Sequence, residues 1–172
     1  MKLFSIALVG LLGISGCGGS GQEVTPQAVR AAQKIWDQAR IRDYDLEWVS
    51  KGARNVHYKV FVREGVIQAI YSVLPDRREV VANPAQPKFY SVDGLFITIF
   101  DELGQLKTAS PFGMPKGSKA VLKFNPDPKL GYPRSYRRDV LGTPQGLAID
   151  VIRLDTHANG PVPLPAGEKP GT

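Results

Sequence analysis

A run of three strand patterns constrains the fold of this 172-residue chain more than any other feature. Apolar and polar residues alternate strictly over residues 43–48, which is typical of a strand with one buried face and one wet face. Residues 56–63 and 66–73 are rich in Val, as strands commonly are. Short turns connect the three segments, the second of them at Gly65. The pattern predicts an antiparallel three-stranded meander.

Two amphipathic helices are predicted, one before the meander and one after it. Thr25 followed by Pro26 is a typical helix start, and apolar residues then recur at helical spacing, so we expect a helix over residues 26–41. Ser91 can cap a second helix, whose apolar stripe continues to Leu106. Three successive β-branched residues within it leave a strand as the alternative, but the spacing of three and four favours a helix.

The second half of the chain repeats the order of the first. Strands are expected over residues 119–124, 132–140 and 147–154, and the stretches 74–88 and 108–118 are expected to be loops. The predicted fold class is therefore α+β, with two helices packed on an antiparallel sheet in the order helix, three strands, helix, three strands. The shared order suggests a loose αβββ duplication.

The N-terminus has the features of a bacterial lipoprotein signal. Lys2 precedes an apolar run of about a dozen residues, too short to span a bilayer, which needs about 20. Ile14-Ser15-Gly16-Cys17 then resembles a lipobox. In proteins with a lipobox the signal peptide is cut just before the cysteine, and the cysteine is then acylated with palmitate-like chains. Cys17 is the chain's single cysteine. The alternative is a plain signal peptide with an incidental Cys17.

These features divide the chain into four parts. Residues 1–16 are expected to form the signal peptide, and residues 17–25 the acylated cysteine with a flexible tether. A single α+β domain is expected over 26–157. The Gly-, Pro- and Ala-rich residues 158–172 are expected to be a disordered tail.

The elements together resemble a domain-of-unknown-function family of small bacterial lipoproteins over residues 29–154. The resemblance consists of the lipobox, a Trp-bearing first helix, a Val-rich hairpin and the turn Leu130-Gly131-Tyr132-Pro133 before the final hairpin. Members of that family often carry a cysteine pair in the first hairpin, whereas this chain has none in residues 50–55. The resemblance implies the element order and an envelope location, and it implies no catalytic activity.

One strand carries the densest group of basic and aromatic side chains. Tyr132, Arg134, Tyr136 and Arg138 fall on one face of a strand by alternation, and such a face can bind an anionic ligand or a partner. The alternative is that its arginines pair across the sheet with the carboxylate stripe of Asp43, Asp45 and Glu47. That stripe could in turn bind a cation, but a straight strand does not wrap an ion.

The remaining candidates give no catalytic or metal-site signature. Asp150, Asp155 and His157 lie close in sequence, but a strand would place Asp150 and His157 on opposite faces. His57 lies within a strand with no neighbouring nucleophile. The chain contains no nucleophile-elbow, phosphate-loop or zinc-protease motif. We therefore expect no enzyme, no cofactor and no metal.

The sequence favours a lipid-anchored bacterial envelope lipoprotein with a non-enzymatic binding role. The net charge of +6 suits a protein or anionic polymer partner, while an envelope protein would rarely meet nucleic acid. Gly18 after the cysteine favours the outer membrane where the source has two membranes. The alternatives are an assembly factor or inhibitor of a larger envelope complex, and a metal-dependent envelope enzyme.

Overall fold

The computed structural model describes residues 22–53, 55–156 and 160–166, and there two α-helices pack on one face of a single antiparallel sheet. This arrangement confirms the predicted α+β class. The strands are β1 (Gln22–Glu23), β2 (Tyr44–Lys51), β3 (Val56–Arg63), β4 (Val66–Val73), β5 (Glu79–Val81), β6 (Ala120–Pro126), β7 (Pro133–Val140) and β8 (Gly146–Asp155). The helices are α1 (Pro26–Ala39) and α2 (Val92–Gln105), and short 3-10 turns occur at Pro87–Tyr90 and Pro111–Gly113.

The sheet places the two meanders side by side. Its strand order is β1-β6-β7-β8-β2-β3-β4-β5, and every neighbouring pair is antiparallel. The central pairing joins β8 to β2, where Leu46 lies opposite Leu154 and the register shifts after Glu47. One face of the sheet receives both helices, and the other face, which we call the helix-free face, carries neither.

Both helices begin where their capping residues predict. The Thr25 hydroxyl accepts a hydrogen bond from the Ala28 N–H at 3.1 Å, and the Ser91 hydroxyl accepts one from the Gly94 N–H at 3.1 Å. The α1 helix ends at Arg40, whose φ of 51° is left-handed. The β-branched run inside α2 is helical, and the Thr98 hydroxyl donates back to the Gly94 carbonyl.

The core lies between the helices and the sheet, and Tyr44 at the start of β2 joins both helices within it. Tyr44 is buried, and its ring meets the ring of Trp36 edge to face at 5.5 Å. The Trp36 indole N–H donates to the Asp93 carboxylate at 3.1 Å, which links α1 to α2. The Val92 N–H donates to the Tyr44 hydroxyl at 3.3 Å. These contacts position the start of α2 over β2.

Two short edge strands raise the count from the predicted six to eight within the described residues. β1 lies in the predicted tether, where it pairs with β6, and the adjacent Val24 is buried. Residues 22–24 therefore belong to the folded domain and not to the predicted tether. β5 lies in the predicted loop 74–88, where it pairs with β4. Strands of two and three residues are too short to show a period of two, so their partners alone define them.

The predicted disordered tail is also corrected over residues 160–166. The Glu79 N–H donates to the Ala166 carbonyl at 2.9 Å, and the Tyr71 hydroxyl donates to the Pro163 carbonyl at 2.8 Å. Pro165 is buried. A Pro-rich segment offers few N–H groups of its own, but its carbonyls can still accept hydrogen bonds from the sheet.

The sheet order does not support the suggested duplication. Three antiparallel steps separate β2 from β6, so the corresponding strands of the two halves run in opposite directions. A rotation that related the two halves would have to reverse the strand direction and keep the order of the strands across the sheet. Such a rotation exchanges the two faces of the sheet. It would place α1 and α2 on opposite faces, whereas both helices share one face and one core. The shared αβββ order is therefore not a structural repeat.

Candidate binding site

The predicted basic-aromatic face is closed by α2 over half of its residues. Tyr136 is 1% exposed, and its hydroxyl donates to Glu102 Oε2 at 2.6 Å. Arg138 Nη1 donates to Glu102 Oε1 at 2.5 Å. The buried Glu102 carboxylate of α2 thus accepts hydrogen bonds from two side chains of β7. We call this link between the helix and the strand a tie.

The electrostatics of this tie follow from its burial. Burial raises the pKa of Glu102, and the bonds to Tyr136 and Arg138 offset part of that rise. Burial also raises the pKa of Tyr136, and the neighbouring Glu102 charge raises it further. The guanidinium of Arg138 lies 4.4 Å from the centroid of the Phe112 ring. These side chains contact one another, which leaves few polar groups on this part of the face for a ligand.

The other two residues of the predicted face differ in exposure. Arg134 is exposed, and Tyr132 is half-buried near Asp127. Burial raises the pKa of Tyr132, with the Asp127 charge as the second cause. Arg134 is thus the one residue of the four that is fully open to solvent. Alternation placed the four residues on one side of β7, but they do not form one accessible surface.

An open cavity instead lies on the helix-free face, where we call it the outer groove. Its volume is about 860 Å³. Apolar side chains from four strands and the β4–β5 loop form much of its lining: Val49, Val56, Val73, Leu74, Pro75 and Ile152. The charged and titratable lining residues are Glu47, Lys51, His57, Lys59 and Arg77. An apolar lining with a few charged groups is typical of ligand sites.

The charges of the outer groove leave an excess of positive charge. Glu47 Oε1 lies 2.6 Å from His57 Nε2. Lys59 Nζ lies 2.5 Å from Glu79 Oε1. Lys51 and Arg77 are exposed, and among the residues that the structure describes neither has an ion-pair partner. Lys51 and Arg77 are therefore cations of the groove lining that have no ion-pair partner among the described residues.

A second cleft, of about 460 Å³, lies on the helix side of the sheet. The rings of Trp48, Tyr58 and Tyr90 line it and pack with centroid distances of 4.9 to 5.8 Å. The Trp48 indole N–H donates to the Tyr90 carbonyl at 3.1 Å. Burial is the main cause that raises the pKa of Tyr90, and the hydrogen bond with Tyr58 raises this pKa further. Since the rings contact one another and no charged side chain lines the cleft, they act as core packing.

The predicted carboxylate stripe pairs with the neighbouring hairpin and not with β7. Asp45 forms an ion pair with Arg63 at 2.8 Å, and Glu47 contacts His57 on the same strand β3. Asp43 accepts a hydrogen bond from the Glu64 N–H at 2.8 Å. Each carboxylate of the stripe thus has a local partner, so the arginines of β7 pair elsewhere.

The sequence candidates near the end of β8 are likewise engaged. Asp150 accepts two hydrogen bonds from Arg137 Nη2, at 2.6 and 2.8 Å. Asp155 pairs with Arg153 at 3.0 Å. His157 lies outside the described residues. Within residues 22–53, 55–156 and 160–166, no group of three His, Cys, Asp or Glu side chains is placed to hold a metal ion.

The predicted lipid anchor cannot be located on the fold. Cys17 and the whole of residues 1–16 lie outside the described part of the chain. Of the two helices described, neither is long and apolar enough to cross a membrane.

Sequence reasoning missed the outer groove because its lining residues are spread over four segments. Lys51 and Arg77 lie in a strand end and a loop, and they approach each other only through the pairing of β2, β3 and β4. The one sequence signal for the groove was the alternation in β2, which placed Glu47 on the face away from the core.

Comparison with known proteins adds no relative. No family model matches the chain, and no curated protein and no solved structure matches it.

Proposed function

We propose that this chain is a lipid-anchored lipoprotein of the bacterial cell envelope, and that its domain is a non-enzymatic binding module for an acidic partner. The partner is an acidic protein surface or an anionic envelope polymer, and it binds in the outer groove. The observation that carries the proposal is the open groove of about 860 Å³, flanked by the unpaired cations Lys51 and Arg77.

The groove suits an acidic partner for two reasons. Its apolar lining gives contact area, with Ile152 at 56% exposure. Its unpaired cations favour an anionic partner over a cationic one and speed its approach at low salt. Glu47 and Lys59 already contact His57 and Glu79, so these two side chains are engaged within the domain.

The anchor part of the proposal rests on the lipobox around Cys17. A lipid on Cys17 would hold the domain close to the membrane surface, where anionic polymers and envelope proteins are concentrated. Metabolic labelling with palmitate tests this part. We expect label on the intact chain and none on Cys17→Ser, and an unlabelled intact chain would contradict the anchor.

The binding part is tested with charge removal in the outer groove. Residues 18–172 contain every residue that the structure describes, and this form is titrated with polyglutamate or with polyphosphate at low and high salt. We expect thermal stabilisation that fades at high salt and that falls by more than half in the variant Lys51→Ser/Arg77→Ser.

The matched control is Arg30→Ser/Lys34→Ser, which removes the same two residue types from the exposed surface of α1. It should keep the wild-type response. Equal losses in both variants would show that net charge alone draws the polyanion, and the groove would then have no special role. A response to polyglutamate but not to polyphosphate would identify a protein partner, and the reverse would identify a polymer.

A further inference from the structure

The C-terminal segment 160–166, which we call the strap, lies across the helix-free face beside the outer groove. Arg63 Nε donates to the Gly160 carbonyl at 3.2 Å. The Tyr71 hydroxyl donates to the Pro163 carbonyl at 2.8 Å. The Glu79 N–H donates to the Ala166 carbonyl at 2.9 Å. Strands β3, β4 and β5 thus each supply one donor to the strap.

The accepting carbonyls recur every third residue, which is the period of a polyproline II helix. The strap has the sequence Gly-Pro-Val-Pro-Leu-Pro-Ala, with proline at 161, 163 and 165. Proline fixes its own φ near −65°, and it restricts the residue before it to extended or polyproline II conformations. Alternating prolines therefore prepare residues 161–165 for this conformation, whereas Gly160 turns into the strap with a φ of 94°.

The surface beneath the strap is aromatic. Phe61 and Tyr71 lie on the helix-free face with ring centroids 5.2 Å apart, and they are only 6% and 5% exposed. They are outside the core formed with the helices, and the Tyr71 hydroxyl bonds the strap directly. Aromatic rings with donors aimed at backbone carbonyls are the means by which grooves bind proline-rich peptides.

The strap leaves part of this surface unfilled. A cavity of about 210 Å³ lies beside Pro163 and is also lined by Phe61, Lys59 and Arg153. Glu47 and Lys59 line both this cavity and the outer groove, so the two lie next to each other. A segment longer than the strap, or one displaced along the face, has further surface to contact.

We propose that Arg63, Phe61, Tyr71 and Glu79 form a recognition site for an extended, proline-alternating segment of a partner protein, and that the strap is its resident occupant. The three hydrogen bonds described above go to backbone carbonyls, Pro165 is buried and Leu164 is 76% exposed, so the site recognises the extended backbone and Pro165 and not the Leu164 side chain. A partner segment with the same spacing binds when the strap is displaced. This site is separate from the cations of the outer groove and does not depend on them.

The test uses residues 18–172 with the strap weakened by Pro163→Ser/Pro165→Ser, and the probe is a labelled peptide with the sequence of residues 160–166. Binding is followed by fluorescence anisotropy. We expect the variant to bind the peptide at least tenfold more tightly than the wild type, in which the tethered strap competes at an effective concentration on the order of millimolar. A peptide with its three prolines replaced by alanine should not bind.

Adding Tyr71→Phe to the variant should weaken peptide binding about fivefold, because one hydrogen bond to the peptide is lost. Equal binding of the proline and alanine peptides, or no binding to a cooperatively folding variant, would overturn the proposal. If the variant does not fold, an NMR titration of the wild type with excess peptide decides the matter. There the resonances of Phe61 and Tyr71 must shift while those of the strap move toward free-peptide values, and unchanged spectra overturn the proposal.

The acidic-partner proposal is tested independently of this recognition site. Lys51→Ser/Arg77→Ser should leave binding of the uncharged peptide unchanged, whereas Tyr71→Phe should leave the polyanion response unchanged.

Discussion

At the residue scale, the clearest constraint is the close approach of Gly131 to α1. Gly131 has a φ of +78°, and a Cβ built there would lie 2.2 Å from the Ala32 carbonyl oxygen. The turn between β6 and β7 can therefore pack against α1 only because residue 131 has no side chain. This contact gives a physical reason for the glycine in the turn Leu130-Gly131-Tyr132-Pro133.

We expect Gly131→Ala to lower the free energy of unfolding by roughly 2 kcal/mol or more, since it combines a left-handed φ with a backbone clash. Urea unfolding measures the loss. The matched control is Gly142→Ala, which has a φ of +79° but no atom within 4 Å of its Cβ. It should cost about 1 kcal/mol, the conformational part alone. Equal losses at both positions would mean that the contact with α1 is unimportant.

The tie between Glu102 and Tyr136 makes a second prediction at this scale. Tyr136→Phe removes a buried donor to a carboxylate, so we expect a loss of about 1–3 kcal/mol in unfolding free energy. The polyanion response should be unchanged, because Tyr136 lies under α2. A variant of normal stability with a lost response would restore the basic-aromatic face as a binding surface.

At the element scale, the pairing of β5 with the strap depends on the ionisation of Glu79. Burial acts to raise the Glu79 pKa, but the bonds from Lys59 and the Ala166 N–H and the charges of Lys59 and His57 outweigh it, so the pKa is lowered below 4.5. A lowered pKa means that the folded state binds this proton less readily than the unfolded chain. The resulting stability is present above pH 4.5 and is lost as the pH falls through the folded-state pKa.

We therefore expect Glu79→Gln to be less stable than the wild type at neutral pH and to approach it in acid. Thermal unfolding across the pH range measures the difference. NMR signals of the strap should lose their dispersion over the same acidic interval in the wild type. A stability difference that does not depend on pH would contradict this role of the Glu79 charge.

Element by element, the sequence was informative where a pattern is long. Capped helices and strands with one buried face show their period, so β3 and β4 were predicted to the residue and the helices to within two residues, while β2 was predicted three residues too short at its C-terminal end. β1 and β5 show no pattern of their own. The strap has donors 87 to 97 residues away in sequence, and no local signal indicates such partners.

At the scale of the whole molecule, the limit of sequence reasoning was which face of the sheet the helices cover. Alternation correctly placed Tyr136 and Arg138 on the same side of β7, but it could not show that α2 closes that side. It also could not bring Lys51 and Arg77 together, because that needs the order of the strands. The face of the sheet that the helices cover forms the core, and we place partner binding on the helix-free face.

The most direct test of this account is site-specific photocrosslinking in intact cells. A photoreactive amino acid replaces Ile152, which is 56% exposed in the outer groove, or Ile97, which is 38% exposed on α2. We predict a discrete crosslinked adduct from position 152 and none from position 97. An adduct from position 97 with none from position 152 would contradict the assignment of the helix-free face as the binding surface.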